Sequence, residues 1–428
     1  MINTIYYLSL IFLSLIFIFL CLKERIFLKT PINFVYCVSF IFLNIFGSFF
    51  IFFPESNLLS DYSIYKTQSS SLNIFFALLL IQLLSFILFL PIHLKNNRIY
   101  NELSLDRVIS YKYVLALISF LIVIYYYISN GIPPFFSTSF FELGNDLIVQ
   151  SRSNFLLEIN NFWFFRLGFY YIPQIICSIL YIDYLKNKSK QNMFKFYSYF
   201  IFSVILSLSF LHKTPIVILI LQLFFIKIFV SKNIDFKTII ISSVFLFISM
   251  FSLYNLSFSG QLDISLGFIL SALFQRIFAV YPLALSLVPD LVNHYGFFYG
   301  ATIINPLGLF DFNQINLSHE LHYLIYGFVA NAPAPAIGYA YSDFGFLGVF
   351  FYVIIVNALI FTYQFLISFI KNNTIKLVFL CYMMTKALFL SMTSIFDSLL
   401  NPTDIFLFLI MISIYYINRY FGGELRNN

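Results

Sequence analysis

The stretch that decides the fold lies near the start of the chain: TIYYLSLIFLSLIFIFLCL, residues 4–22, without a single charge. A helix needs roughly 20 apolar residues to cross the ~30 Å hydrocarbon layer of a bilayer, and this run supplies them. No Lys or Arg precedes it, while Lys23, Arg25 and Lys29 follow it. A cleavable export signal carries its positive charges ahead of the apolar run. The order here predicts a retained first helix with its N-terminus outside.

Ten more runs of similar character follow, at 32–53, 72–92, 113–129, 164–185, 195–211, 215–230, 238–254, 344–370, 376–396 and 403–420. The composition agrees. The 428 residues are 61% hydrophobic and 21% aromatic, and only 10% are charged. Soluble domains carry about 25% charged residues, so a soluble enzyme is excluded. Disordered chains are poor in aromatics, so disorder is excluded too. The sequence therefore predicts an all-α polytopic integral membrane protein of about 11 transmembrane helices, a single transmembrane domain over 1–428. The four cysteines, Cys21, Cys37, Cys177 and Cys381, all sit inside apolar runs. They read as small core residues and not as a disulfide or zinc framework.

Counting sides from the first helix puts 18 of the 24 Lys and Arg residues in the cytoplasm. The outside keeps Lys66, Arg152, Arg166, Lys213 and Arg276, with Lys386 mid-span, and 12 of the 18 acidic residues. Positive charge stays inside, loop by loop, so the net charge of +6 is a topology signal and not a nucleic-acid footprint. The C-terminus falls in the cytoplasm. The cytoplasmic loops are short and lack a phosphate-cradling glycine loop. Two long segments lie outside, 130–163 and 256–343. Loops of that length are uncommon unless they serve a function or are disordered. The second is too rich in Phe, Tyr, Leu and Pro for disorder. It holds two apolar stretches, 264–274 and 277–289, split by Gln275-Arg276, which read as interfacial or re-entrant helices. The two segments together are expected to roof an active site.

Few polar residues stand out in these segments. Arg276 interrupts apolar sequence, where Arg is costly and usually pairs or binds something. Its planar fork suits phosphate and diphosphate. Arg152 and Arg166 flank the first segment, and Arg166, at a helix end, equally suits snorkelling to headgroups. Lys213, in the turn His212-Lys213-Thr214-Pro215, can neutralise a lipid phosphate. His319-Glu320-Leu321-His322 lacks the metalloprotease spacing, because Tyr323 stands where the second His would be needed. Glu320, His319 or His322 can instead take a proton from a hydroxyl as a general base, or simply hydrogen-bond within the segment. His294, before Tyr295-Gly296 and Tyr299-Gly300, is a further candidate. Lys386 can serve a function in its span, or pair with Asp397 or with a backbone carbonyl inside the bundle.

The run from Glu320 through Asn331-Ala332-Pro333-Ala334-Pro335 to Gly338-Tyr339-Ala340-Tyr341-Ser342-Asp343-Phe344-Gly345-Phe346-Leu347-Gly348 resembles bacterial O-antigen polymerases. In these Wzy-type oligosaccharide repeat-unit polymerases, similar sequence precedes a late transmembrane helix. The motif spans about a tenth of the chain; the layout of spans and external segments covers the rest. Its glycines suit a tight turn into the membrane, and Gly345 and Gly348 are expected to let helices approach closely.

The resemblance implies a metal-independent glycosyltransferase, without cofactor, in the bacterial inner membrane with its active site facing the periplasm. Donor and acceptor would both be undecaprenyl-diphosphate-linked oligosaccharides. Membrane lipids and a chain-length regulator protein would be the other partners, and nucleic acid none. Arg276, Arg152, Arg166 and Lys213 would face the leaving diphosphate. Glu320 would be the base, with His319, His322 and His294 in reserve. Tyr323, Tyr341 and Asp343 would contact sugar, although a tyrosine also suits any membrane interface. Two rival functions share part of this pattern. An O-antigen ligase uses the same donor. A flippase or other transporter is disfavoured by the long external segment and by the lack of two-fold internal symmetry.

Overall fold

The structure is a computed structural model that describes residues 2–23, 26–52, 69–95, 110–133, 136, 162–210, 214–231, 244, 248, 274, 278–303, 314–326, 332–370, 372–410 and 413. Among the described residues there is no β-strand. In chain order the helices are α1 (Ile2–Lys23), α2 (Ile26–Lys29), α3 (Pro31–Phe40, running on as a π-helix over Ile41–Phe46), α4 (Phe49–Phe52), α5 (Ser69–Lys95) and α6 (Ser110–Asn130). Then come α7 (Phe162–Arg166), a π-helical turn over Leu167–Tyr171, α8 (Ile172–Lys186), α9 (Lys190–Leu208) and α10 (Thr214–Ser231). The last group is α11 (Val280–Tyr295), α12 (Leu317–Tyr326), α13 (Ala336–Ser368), α14 (Asn373–Leu390), α15 (Ile395–Ser398) and α16, over 402–410.

Seven helical stretches among the described residues are long and apolar enough to cross a membrane: Ile5–Lys23, Ser71–Leu94, Lys112–Asn130, Phe164–Lys186, Thr214–Ser231, Ala336–Ser368 and Asn373–Leu390. The chain is a helical, multi-pass membrane protein. Ile5–Lys23 and Lys112–Asn130 turn most of their apolar side chains outward, whereas Phe164–Lys186 and Asn373–Leu390 are enclosed by the rest of the chain. Of the other four expected spans, 195–211 folds as part of α9, a helix with Tyr, Ser and Lys among its apolar residues. The runs 238–254 and 403–420 lie partly outside the described residues.

The expected span at 32–53 is not one continuous helix. It loosens into a π-helix at Ile41 and turns at Gly47-Ser48 before α4. Gly47 explains the interruption: a Cβ there would stand 2.2 Å from the carbonyl oxygens of both Leu43 and Phe278. Only a residue without a side chain admits that backbone approach.

The chain divides into two compact units. Unit 1 comprises Met1–Glu102, Leu270–Phe369 and Met383–Leu400. Its helices are joined by buried polar bonds, which hold well where the surroundings offer no competing water. The hydroxyls of Tyr36 and Tyr352 meet at 2.6 Å, and His93 Nε2 lies 3.1 Å from Asn357 Oδ1. Ser71 donates to the carboxylate of Asp290 on α11.

The apolar run read as a span over 376–396 has its crossing-length helix at Asn373–Leu390, so only its end differs from expectation. Its helix, α14, ends at Leu390, and the chain turns at Ser391–Ser394 into the short α15. Ser391, Ser394 and Ser398 are buried. The amide of Asn44 donates to Ser391 O (2.9 Å), and Ser391 Oγ donates to Ser39 Oγ (3.2 Å). The hydroxyl of Tyr363 donates to Leu399 O. A turn buried in the protein is tolerated where neighbouring side chains satisfy its polar groups. The side chains of α3 and α13 do that here.

Unit 2 comprises Leu103–Ile269, Ile370–Tyr382 and Asn401–Asn428. Its centre is Tyr126, whose ring meets Phe165, Phe169 and Phe210 edge-on at 5.0–5.2 Å between centroids. Ser119 donates to Gly168 O within the π-turn (2.7 Å), and Gln174 Nε2 donates to Pro215 O (2.8 Å). Lys112 and Asp183 form an ion pair at 3.2 Å.

Candidate functional site

The segment that carries the resemblance folds as a broken helix. A straight α13 would be about 50 Å long at 1.5 Å per residue, far beyond the ~30 Å hydrocarbon layer. It breaks at Phe344 (φ −138°, ψ 19°) and Gly345 (φ 61°, ψ −145°). The break leaves Phe346–Ser368 close to the length that crosses and folds Ala336–Asp343 back against its start. Gly348 marks the fold-back, since a Cβ there would stand 2.1 Å from Ala340 O. Gly345 and Gly348 therefore shape a break within one helix, and not the approach of two helices that the sequence suggests.

A break frees carbonyls from the helical ladder, and each needs a donor. The loop after α11 supplies them. Gly296 ends that helix at φ 81°, and the amides of Phe298 and Tyr299 donate to Ser342 O and Asp343 O, both at 3.0 Å. Asp343 fastens the same loop with its side chain: Oδ2 accepts from Thr302 Oγ1 (2.6 Å) and Oδ1 from the Thr302 amide (3.3 Å). Phe297 packs over Gly345, whose Cβ, if present, would lie 3.0 Å from that ring. Tyr341 is buried between Phe297 (6.2 Å, 73°) and Phe346 (5.4 Å, 75°).

Tyr299 takes φ 49°, the one non-glycine residue with positive φ among the described residues. That conformation costs an L-residue roughly 1–2 kcal/mol. Its ring is 77% exposed.

α12 is fixed to this loop by Ile315 N–H donating to Ala301 O (2.8 Å), and to the entry of α13 by Ala332 N–H donating to Ser318 O (3.0 Å). It also packs against α11. Asn316 caps it, its Oδ1 accepting from the His319 amide at 3.4 Å, as Asn does at helix starts. Glu320 lies in the first turn, half-buried, where a carboxylate suits the positive end of the helix. His319 is half-buried, His322 is buried and Tyr323 is exposed. Among the described residues no group of three His, Cys, Asp or Glu forms a metal-ligand set. His294, in the last turn of α11, is exposed and lies edge-on to Tyr295 at 4.6 Å.

Unit 1 thus carries His294, His319, Glu320, His322, Tyr323, Tyr341 and Asp343 on one hydrogen-bonded assembly of α11, the 296–303 loop, α12 and the broken start of α13. Arg166 belongs to unit 2, at the end of α7. Arg276, Arg152 and Lys213 lie outside the described residues. Lys386 is buried in α14, and Asp397 Oδ2 accepts from Ser394 Oγ at 2.8 Å.

Thr302 and Tyr299 are absent from the sequence-derived candidates. The two Tyr-Gly pairs at 295–296 and 299–300 signal a tight loop, and Tyr299 is legible to that extent. Nothing in the sequence marks Thr302. No protein-family model matches the chain, and no curated protein or solved structure matches it either. Fold and site together define a multi-pass helical membrane protein in which a broken helix clamps an aromatic loop.

Proposed function

We propose that the chain joins undecaprenyl-diphosphate-linked oligosaccharide repeat units into O-antigen or a related surface polysaccharide, at the periplasmic face of the bacterial inner membrane. The observation that carries this reading is the broken helix. The residues Gly338–Gly348, which resemble the polymerase motif, are the ones that form the break and hold the loop beside α12. The topology adds to the case: with the N-terminus outside, the basic residues gather in the cytoplasmic loops, and 130–163 and 256–343 face the periplasm.

In the reaction, the terminal hydroxyl of the acceptor repeat unit attacks the anomeric carbon of the donor glycan. A C–O bond forms there as the bond to the diphosphate breaks, and undecaprenyl diphosphate leaves. Glu320 takes the hydroxyl proton, a task His319, His322 or His294 can share. Arg276, on the same unit as Glu320, balances the charge that grows on the leaving diphosphate. Tyr323, which is exposed, supplies aromatic surface for sugar. Tyr341, enclosed by Phe297 and Phe346, and Asp343, bonded through both oxygens to Thr302, hold the loop that borders the site and do not face the sugar themselves.

Deletion of the gene in its host, with surface polysaccharide resolved by gel, tests this. The ladder should collapse to lipid A-core carrying one repeat unit. It should return with the wild-type gene and stay collapsed with Arg276→Ala at equal membrane level. Loss of every repeat, the first included, would assign the chain to ligation or flipping instead. An unchanged ladder would refute the polymerase reading.

A further inference from the structure

Tyr299 needs an explanation that its neighbours do not. A side chain with a Cβ occupies the left-handed region only where its surroundings over-determine it, and here they do. Its amide and that of Phe298 are tied to carbonyls at the α13 break, and Thr302 is held by both oxygens of a buried carboxylate. Such a loop would bury an aromatic ring if burial were its purpose. It instead points the ring outward at 77% exposure, at 6.5 Å and 73° to Phe297.

We propose that Tyr299 is a sugar-stacking residue, its ring receiving the face of a saccharide of the lipid-linked glycan. This rests on the polymerase reading and adds a binding residue to it. A pyranose offers axial C–H groups that pack on an aromatic face, and the phenol hydroxyl can hydrogen-bond to ring substituents. The rival role for an exposed tyrosine in a membrane protein is anchoring at the headgroups. Exposed aromatics such as Tyr113 and Tyr125 sit on α6 in ordinary helical backbone, which suffices for an anchor. Tyr299 is fixed on both sides of its turn, as a group that must meet a ligand in one pose has to be.

The chain has a single tryptophan, Trp163. Full-length protein carrying Trp163→Phe with Tyr299→Trp therefore places one fluorophore on the loop. In nanodiscs it is titrated with lipid-linked repeat unit extracted from the deletion host, with undecaprenyl diphosphate bearing no sugar, and with acyl-brominated lipid. The expected result is a saturable emission shift with the first probe alone and little quenching by the third. Strong quenching by brominated lipid without a glycan response would make Tyr299 an anchor and overturn the proposal. An equal response to bare undecaprenyl diphosphate would overturn it too.

Direct binding of radiolabelled repeat-unit lipid gives a second measure that does not need the reporter. Tyr299→Ala should bind about tenfold more weakly and Tyr299→Phe within about twofold of wild type. Equal binding by Tyr299→Ala would refute the assignment. A collapsed ladder on deletion with no glycan response at Tyr299 removes the stacking role alone, while an unchanged ladder removes the polymerase reading itself.

Discussion

At Gly345 the backbone takes φ 61° with ψ −145°, a region that residues with a Cβ essentially never occupy. Phe344, its neighbour, has negative φ and can be almost any residue. A methyl group at Gly345 meets two obstacles at once: the backbone strain, and the Phe297 ring 3.0 Å away. Gly345→Ala should therefore cost about 2–3 kcal/mol, read as a lower unfolding temperature in detergent. Phe344→Ala, which keeps the break, should cost less. Equal effects would show that the break does not depend on the glycine. The clamp beside it works by different physics. Asp343 is buried, and a buried carboxylate is tolerable only with its hydrogen bonds made; Thr302 makes them with both amide and hydroxyl.

Among the elements, the turn between α14 and α15 shows what apolarity leaves open, namely where a helix ends. The apolar run continues to 396, whereas α14, long and apolar enough to cross, ends at Leu390, and hydropathy does not mark that end. The small polar residues Ser391, Thr393 and Ser394 are the hint, and serine and threonine are ordinary in membrane helices. What stops the helix is distant in sequence: Asn44, on the π-helical part of α3, donates to Ser391 O. Asn44→Leu removes that donor and leaves a buried carbonyl without it, at a cost of about 1–3 kcal/mol. Asn44→Asp keeps the shape but replaces the donor by a charge and should be worse. The check is thermal unfolding of both variants beside wild type; wild-type stability in Asn44→Leu would mean that the turn is held by other bonds.

For the whole molecule, the sequence reveals the class and hides the interior. The all-helical membrane fold follows from runs such as 4–22, because the bilayer imposes one length and one polarity on any crossing helix. The site is legible in part for the same kind of local reason. The glycine-rich run announces a tight turn, although Gly345 and Gly348 read in the sequence as places of helix approach and not as the break itself. Tyr-Gly pairs announce a loop, but the Asp343–Thr302 bond joins residues 41 apart and no local pattern encodes it.

The difference between reading and structure is sharpest at the α14–α15 turn, and it can be measured there. If the helix ran on to 396, the residues just after it would emerge from the protein. In the structure Leu399 is bonded to Tyr363, which lies near the Ser368 end of α13, and Ser398 is fully enclosed. Ser398→Cys in a background with the four native cysteines replaced should resist a membrane-impermeant maleimide in intact cells and react only after denaturation. Tyr299→Cys in the same background should label from outside. Rapid external labelling of Ser398→Cys would restore a helix running on to 396 and overturn the buried turn, while leaving the broken helix and its loop as they are.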